Sequence, residues 1–148
     1  MRTIDAVRRS GVVIRSDQTI HEAAVLMERA GVGSLAVIEG THLVGIVTDR
    51  DLVRRGLAHD LASDARVDGV MTSPVVTISA DADLHDAFAL FRGQAVRRLA
   101  VVRGEEFLGT VTIDDLLINL AADLGDLVRP VTAEVLFGHH DSPVPAIA

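Results

Sequence analysis

The chain has 148 residues, 49% of them apolar, and a formal net charge of −7. That acidity argues against a general nucleic-acid surface, which needs clustered Lys and Arg, and four Phe without Trp or Tyr offer no base-stacking platform. The absence of cysteine excludes disulfides, a thiol nucleophile and Cys-ligated metal. No run reaches the ~18 apolar residues of a membrane span, and Met1-Arg2-Thr3-Ile4-Asp5 lacks the apolar stretch of a signal peptide. A cytoplasmic protein with neither membrane nor nucleic-acid partners is expected. Its length suits one compact domain, or two small halves sharing a core.

In chain order, the first segment is short and amphipathic, Thr3 to Val7. A strand signal follows at Val12-Val13-Ile14. Next comes a helix with Asp17 or Thr19 as competing caps. Ile20, Ala23, Ala24 and Met27 give it the i, i+3, i+4, i+7 spacing of a buried face, and Gly31 and Gly33 end it. A hairpin is expected from Leu35–Ile38, a turn at Gly40-Thr41-His42, and Leu43–Val47. A helix over about Asp49 to Ala58 closes the unit.

The same order then repeats. Val67-Asp68-Gly69-Val70 parallels Ile4-Asp5-Ala6-Val7, and a strand at Val75–Ile78 leads to a second helix with Asp81 or Asp83 as cap. Leu84, Ala87, Phe88 and Phe91 match the first helix face position for position, and Gly93 is expected to end this helix. The second hairpin runs from Leu99–Val102 through Gly104-Glu105-Glu106 to Phe107–Val111. A closing helix spans about Ile113 to Leu124. Pro130 is expected to stop that helix, with Thr132–Phe137 a short strand or helix and Gly138–Pro145 extended coil.

Each unit is thus strand–helix–strand–strand–helix, an α/β (α+β) pattern. Neither half can bury much alone, so the two should pack with pseudo-twofold symmetry. The division read from the repeat is 1–62, 63–126 and a C-terminal tail at 127–148. His139-His140-Asp141 sit side by side on coil, where adjacent side chains rarely converge, so no metal site is expected.

The most telling duplication is Gly45-Ile46-Val47-Thr48-Asp49-Arg50-Asp51, answered about 64 residues later by Gly109-Thr110-Val111-Thr112-Ile113-Asp114-Asp115. Each run ends a strand and starts a helix, where free N–H groups favour anions. Thr48 with Asp51, and Thr112 with Asp115, also make a variant of the capping box.

This duplicated order, with Gly-h-h-Thr-x-x-Asp closing each hairpin, resembles a tandem pair of cystathionine-β-synthase (CBS) domains, a Bateman module. It is similar to the small stand-alone bacterial two-CBS proteins of the hypoxic-response type. The resemblance covers roughly residues 4–122. It implies a regulatory adenine-nucleotide sensor (AMP, ADP or ATP) with no catalytic residues, acting through an unknown regulated protein or through self-association as a homodimer. The alternative is a ligand-free CBS scaffold for dimerisation and interaction.

By that resemblance Asp51 and Asp115 accept hydrogen bonds from ribose hydroxyls, and Thr48 and Thr112 support ribose or phosphate. Val13, Ile14, Val32 and Leu35 line the base pocket of the first half, and Thr77, Ile78, Val96 and Leu99 that of the second. Arg50, Arg97 and Arg98 lie near the phosphate rim; in a strand Arg97 and Arg98 point to opposite sides, so at most one serves a given pocket. The two sites should be unequal. Arg97-Arg98 stand where the first half has Gly33-Ser34, and Asp114 stands where it has Arg50. Leu52, Val53, Leu116, Leu117 and Leu120 on the closing helices are the apolar positions expected to meet a second copy.

Overall fold

The computed structural model describes residues 2–7 and 11–137, the last eight of these by backbone alone. A 3-10 turn at Thr3–Ala6 precedes β1 (Val13–Arg15), α1 (Ile20–Ala30), β2 (Ser34–Glu39) and β3 (His42–Thr48). Helix α2 (Asp49–Asp51) widens into a π-helical stretch, Leu52–Gly56, and tightens to a 3-10 turn at Leu57–His59. The second half repeats the order: a 3-10 turn at Val67–Gly69, β4 (Thr77–Ser79), α3 (Leu84–Gln94), β5 (Arg98–Arg103), β6 (Glu106–Thr112) and α4 (Ile113–Phe137).

The strands form one six-stranded sheet in the order β1-β2-β3-β6-β5-β4, palindromic about its centre. Within each half the outer strand pairs parallel and the hairpin antiparallel, in matching registers: Ser34 opposes Thr48 as Arg98 opposes Thr112. The halves join at the hairpin turns through His42 and Glu106. The flanking bonds come as a symmetric pair. Leu43 N–H donates to the Glu105 carbonyl (3.4 Å), and Phe107 N–H to the Thr41 carbonyl (3.3 Å).

Local sequence accounts for most element ends. Of the competing caps, Thr19 closes a capping box with Glu22 on α1, and Asp83 accepts from His85 N–H (2.9 Å) on α3. Gly31 takes the left-handed conformation after α1 (φ 64°). In the second half Gly93 lies inside α3, and the left-handed position falls to Ala95 (φ 51°), the residue equivalent to Gly31. Gly93 is therefore not the terminator.

The tail corrects a second expectation. Helix α4 runs through Pro130 to Phe137 instead of stopping. Proline removes one N–H and crowds the carbonyl four residues back, and the helix continues through it to Phe137. Residues Gly138–Pro145, with His139, His140 and Asp141, lie outside the described residues.

The core is two clusters rather than one. Ile14, Ala23, Met27, Leu35, Val37 and Val47 fill the first half, and Ile78, Ala87, Phe91, Leu99, Val101, Val111 and Leu116 the second. Ala24, expected on the buried face of α1, is exposed. The segments before each outer strand are exchanged. Ala6 packs into the second cluster, while Val67 and Val70 pack into the first. Backbone bonds fix the exchange: Thr3 N–H to the Ala82 carbonyl (2.7 Å), Val67 N–H to the Gln18 carbonyl (2.7 Å).

A candidate ligand cleft between the two repeats

Both Thr-x-x-Asp runs form reciprocal capping boxes. Asp51 N–H donates to Thr48 Oγ1 and Thr48 N–H to Asp51 Oδ2, both at 3.0 Å. Asp115 N–H donates to Thr112 Oγ1 (3.1 Å), and Thr112 N–H to Asp115 Oδ2 (3.0 Å). Each box uses one carboxylate oxygen and one lone pair of the hydroxyl. The second carboxylate oxygen and the hydroxyl proton are left for other partners.

A cavity of about 520 Å³ opens between the halves, within the ~300–1,000 Å³ range of small-molecule sites. It crosses the pseudo-twofold. Val32, ahead of β2 of the first half, faces Thr112, Asp115 and Arg98 of the second, and Leu35 within β2 borders the cleft with its side chain in the first-half core at 1% exposure. The repeat read along the chain groups each set within its own half. Five of the expected site residues thus meet in one place. Of the others, Ile14, Ile78 and Leu99 are buried in the two cores at 2%, 5% and 0% exposure. Val13, Thr48, Arg50, Asp51, Thr77 and Val96 also lie away from this cleft. Arg50 is exposed at the start of α2, and Thr48 and Asp51 occupy the symmetry-equivalent place in the first half.

Several lining residues escaped sequence reasoning. Phe107 of β6 is the aromatic side chain on the wall, with Gly11, Gly33, Ser34 and Thr110 beside it. A Cβ at Gly11 would fall 2.7 Å from Phe107 Cε1, so glycine there is what lets the ring lie against the chain. Ser34 accepts a hydrogen bond from the Arg98 guanidinium across the boundary between halves. Of the adjacent pair, Arg98 begins β5 and lines the cleft, and Arg97 precedes the strand. The cleft therefore joins an apolar floor and one aromatic ring to a carboxylate, a hydroxyl and a guanidinium. Such a set can clasp a flat ring system, a diol and an anion.

Among the described residues no cluster of three or more His, Asp or Glu could hold a metal ion, and no helix is long and apolar enough to cross a membrane.

The duplicated strand–helix–hairpin–helix unit and the cleft at its boundary define a tandem-repeat α/β architecture. The CBS domain profile matches residues 4–58 and 67–122, and the chain belongs to the CBS-domain family, with two domains in tandem. The CBS domain-containing protein YhcV of Bacillus subtilis is 33% identical over 115 residues, covering 78% of this chain and 82% of that protein. Hypoxic response protein 1 of Mycobacterium tuberculosis is 27% identical over 123 residues, 81% of this chain and 86% of that protein. The crystal structure of Hypoxic Response Protein I with two coordinated zinc ions superposes with a TM-score of 0.70 at 26% identity, covering 79% of this chain and 97% of that one. The CBS domain protein PAE2072 from Pyrobaculum aerophilum, complexed with AMP, superposes at 0.69 and 26% identity, covering 82% and 99%.

Proposed function

We propose that this chain is a non-catalytic regulatory module that binds an adenine nucleotide of the AMP, ADP or ATP class in the cleft between its repeats, and passes the signal to a partner protein or to self-association. The observation that carries this reading is the convergence of Thr112, Asp115 and Arg98 on a cleft whose apolar side chains include Val32 and Phe107. Asp115 would accept from the ribose hydroxyls with the oxygen its capping box leaves over, Thr112 would support the ribose, and Arg98 would meet phosphate. The AMP complex of the Pyrobaculum relative supports the choice of ligand class. Thr48 and Asp51 would form the counterpart site, made unequal by Arg97 in place of Gly33 and by Arg50 in place of Asp114.

A ligand that binds the folded state alone raises its stability by mass action, by about 2.7 kcal/mol at a hundredfold excess over Kd. Thermal-shift titration with AMP, ADP and ATP should therefore give a saturable rise in Tm. No rise with any of the three in the folded protein sinks the reading. A ligand-free scaffold is the second reading, favoured by the exposed apolar side chains Val53, Leu117 and Leu120 on the closing helices. Leu116 and Leu52, expected there too, belong instead to the chain's own packing: Leu116 is 1% exposed and Leu52 half-buried against the first cluster.

A further inference from the structure

The closing helices of the two repeats differ in winding. Leu52–Gly56 is π-helical, whereas the equivalent residues 116–120 lie within the regular helix α4. A π stretch inside a helix is rare and recurs at functional sites. Arg55 falls inside this one, and its guanidinium leaves its own helix. Through Nη1 it donates to the Met71 carbonyl (2.9 Å) and the Val70 carbonyl (3.3 Å). Its counterpart Asn119 donates instead to the Asp115 carbonyl of its own helix (2.9 Å).

The carbonyls held by Arg55 belong to the strap that leads into the second repeat. Thr72 N–H donates to the Ile46 carbonyl (2.7 Å), and Ile46 N–H to the Thr72 carbonyl (3.0 Å). This pair is an isolated bridge outside the named strands. The strap lies close on β3. A Cβ at Gly45 would fall 2.9 Å from Met71 Cγ and 3.1 Å from the Thr72 carbonyl oxygen, so glycine there admits it. Ile46 in turn lines the cleft. Arg55 therefore ties the helix begun by the Thr48–Asp51 box to the strap, and the strap to the cleft wall.

We propose that the π stretch and residues 70–72 form a two-position clasp that sets the cleft wall at Ile46, with Arg55 as its positioning residue. In the closed position the π stretch aims Arg55 at the strap, and Thr72 holds Ile46. Rewinding to α-helix, the form that the same positions take in α4, turns each residue after Leu52 about the helix axis and takes Arg55 off the carbonyls. The strap then keeps only the Thr72 pair, and Thr72 is exposed. Segments with so few buried contacts open at low free-energy cost. A cleft ligand that fits the closed wall better than the open one shifts the clasp shut. The role at the cleft rests on the nucleotide reading above; the hold on the strap does not.

Full-length Arg55→Ala, Arg55→Lys and Asn119→Ala would be compared with the unaltered chain by amide hydrogen exchange and by calorimetric titration with AMP. In Arg55→Ala the amides of Ile46 and Thr72 should exchange about tenfold faster while those of β5 keep their protection, and the Kd for AMP should rise about tenfold. Lysine, a single charged donor in place of the fork, should bring both back to within about threefold. Asn119→Ala should change neither. Unaltered exchange at Ile46 and Thr72 in Arg55→Ala overturns the proposal, and so does an equal loss of protection in every strand, which would make Arg55 a stabilising residue only. If the unaltered chain binds no AMP, the nucleotide reading and this proposal fall together. If it binds AMP and Arg55→Ala binds it equally well, this proposal falls alone.

Discussion

Arg98 at the start of β5 donates a hydrogen bond from its guanidinium to the hydroxyl of Ser34 at the start of β2, and the two residues hold the same place in the two repeats. Contact between equivalent positions puts both on the pseudo-twofold axis. There the duplicated sheet has been made asymmetric by a single change of residue type, and the one guanidinium lies on the wall of the cleft.

Replacing that guanidinium separates phosphate recognition from nucleoside recognition. Arg98→Ala should weaken AMP binding about tenfold, the ~1.4 kcal/mol scale of one charge-assisted hydrogen bond, and leave adenosine within about twofold. Calorimetric titration with both ligands checks this. An equal loss for the two would place the guanidinium away from the phosphate.

The two capping boxes offer a control for each other. Asp51→Ala and Asp115→Ala each remove the carboxylate half of an equivalent capping box and should each lower stability by ~1 kcal/mol, a fall of a few degrees in Tm. AMP should still raise the Tm of Asp51→Ala and fail to raise that of Asp115→Ala. The reverse pattern would move the site to the first half.

Ala95 holds a left-handed conformation (φ 51°) that its equivalent, Gly31, adopts without a Cβ. The left-handed region costs an L-residue ~1–2 kcal/mol, and glycine gives back part of that as unfolded-state entropy. Ala95→Gly should therefore stabilise the protein by about 0.5–1 kcal/mol in urea unfolding, with no change in m-value. A destabilised variant would show that the strain at Ala95 is offset elsewhere.

Val67 is fully buried in the first-half cluster although it precedes the second repeat's outer strand. Val67→Ala removes two methyl groups' worth of packing and should cost about 2 kcal/mol. Hydrogen exchange checks where the loss falls. Amides of β1 and β2 should lose protection before those of β4 and β5. Uniform loss would mean the halves unfold as one unit.

Much of this was legible in the residues. Helix faces follow from Ala23 and Met27 answered by Ala87 and Phe91, because apolar spacing reports the side of a helix that must leave water. The Thr48–Asp51 and Thr112–Asp115 boxes follow as well, since a cap is settled within four residues. Two local expectations failed: Ala95 took the turn expected of Gly93, and α4 continued past Pro130.

The sequence by itself determined the duplication, the order of elements in each copy and the residue types at each strand-to-helix junction, because all of these depend on neighbours within a turn or a hairpin. Only the tertiary structure decided that Val32 faces Thr112 and Asp115, that Val67 packs with Ile14 while Ala6 packs with Ile78, and that Arg98 reaches Ser34. A repeat read along the chain cannot say which copy supplies which wall. That is fixed when each half, too small to bury its own apolar face alone, closes against the other.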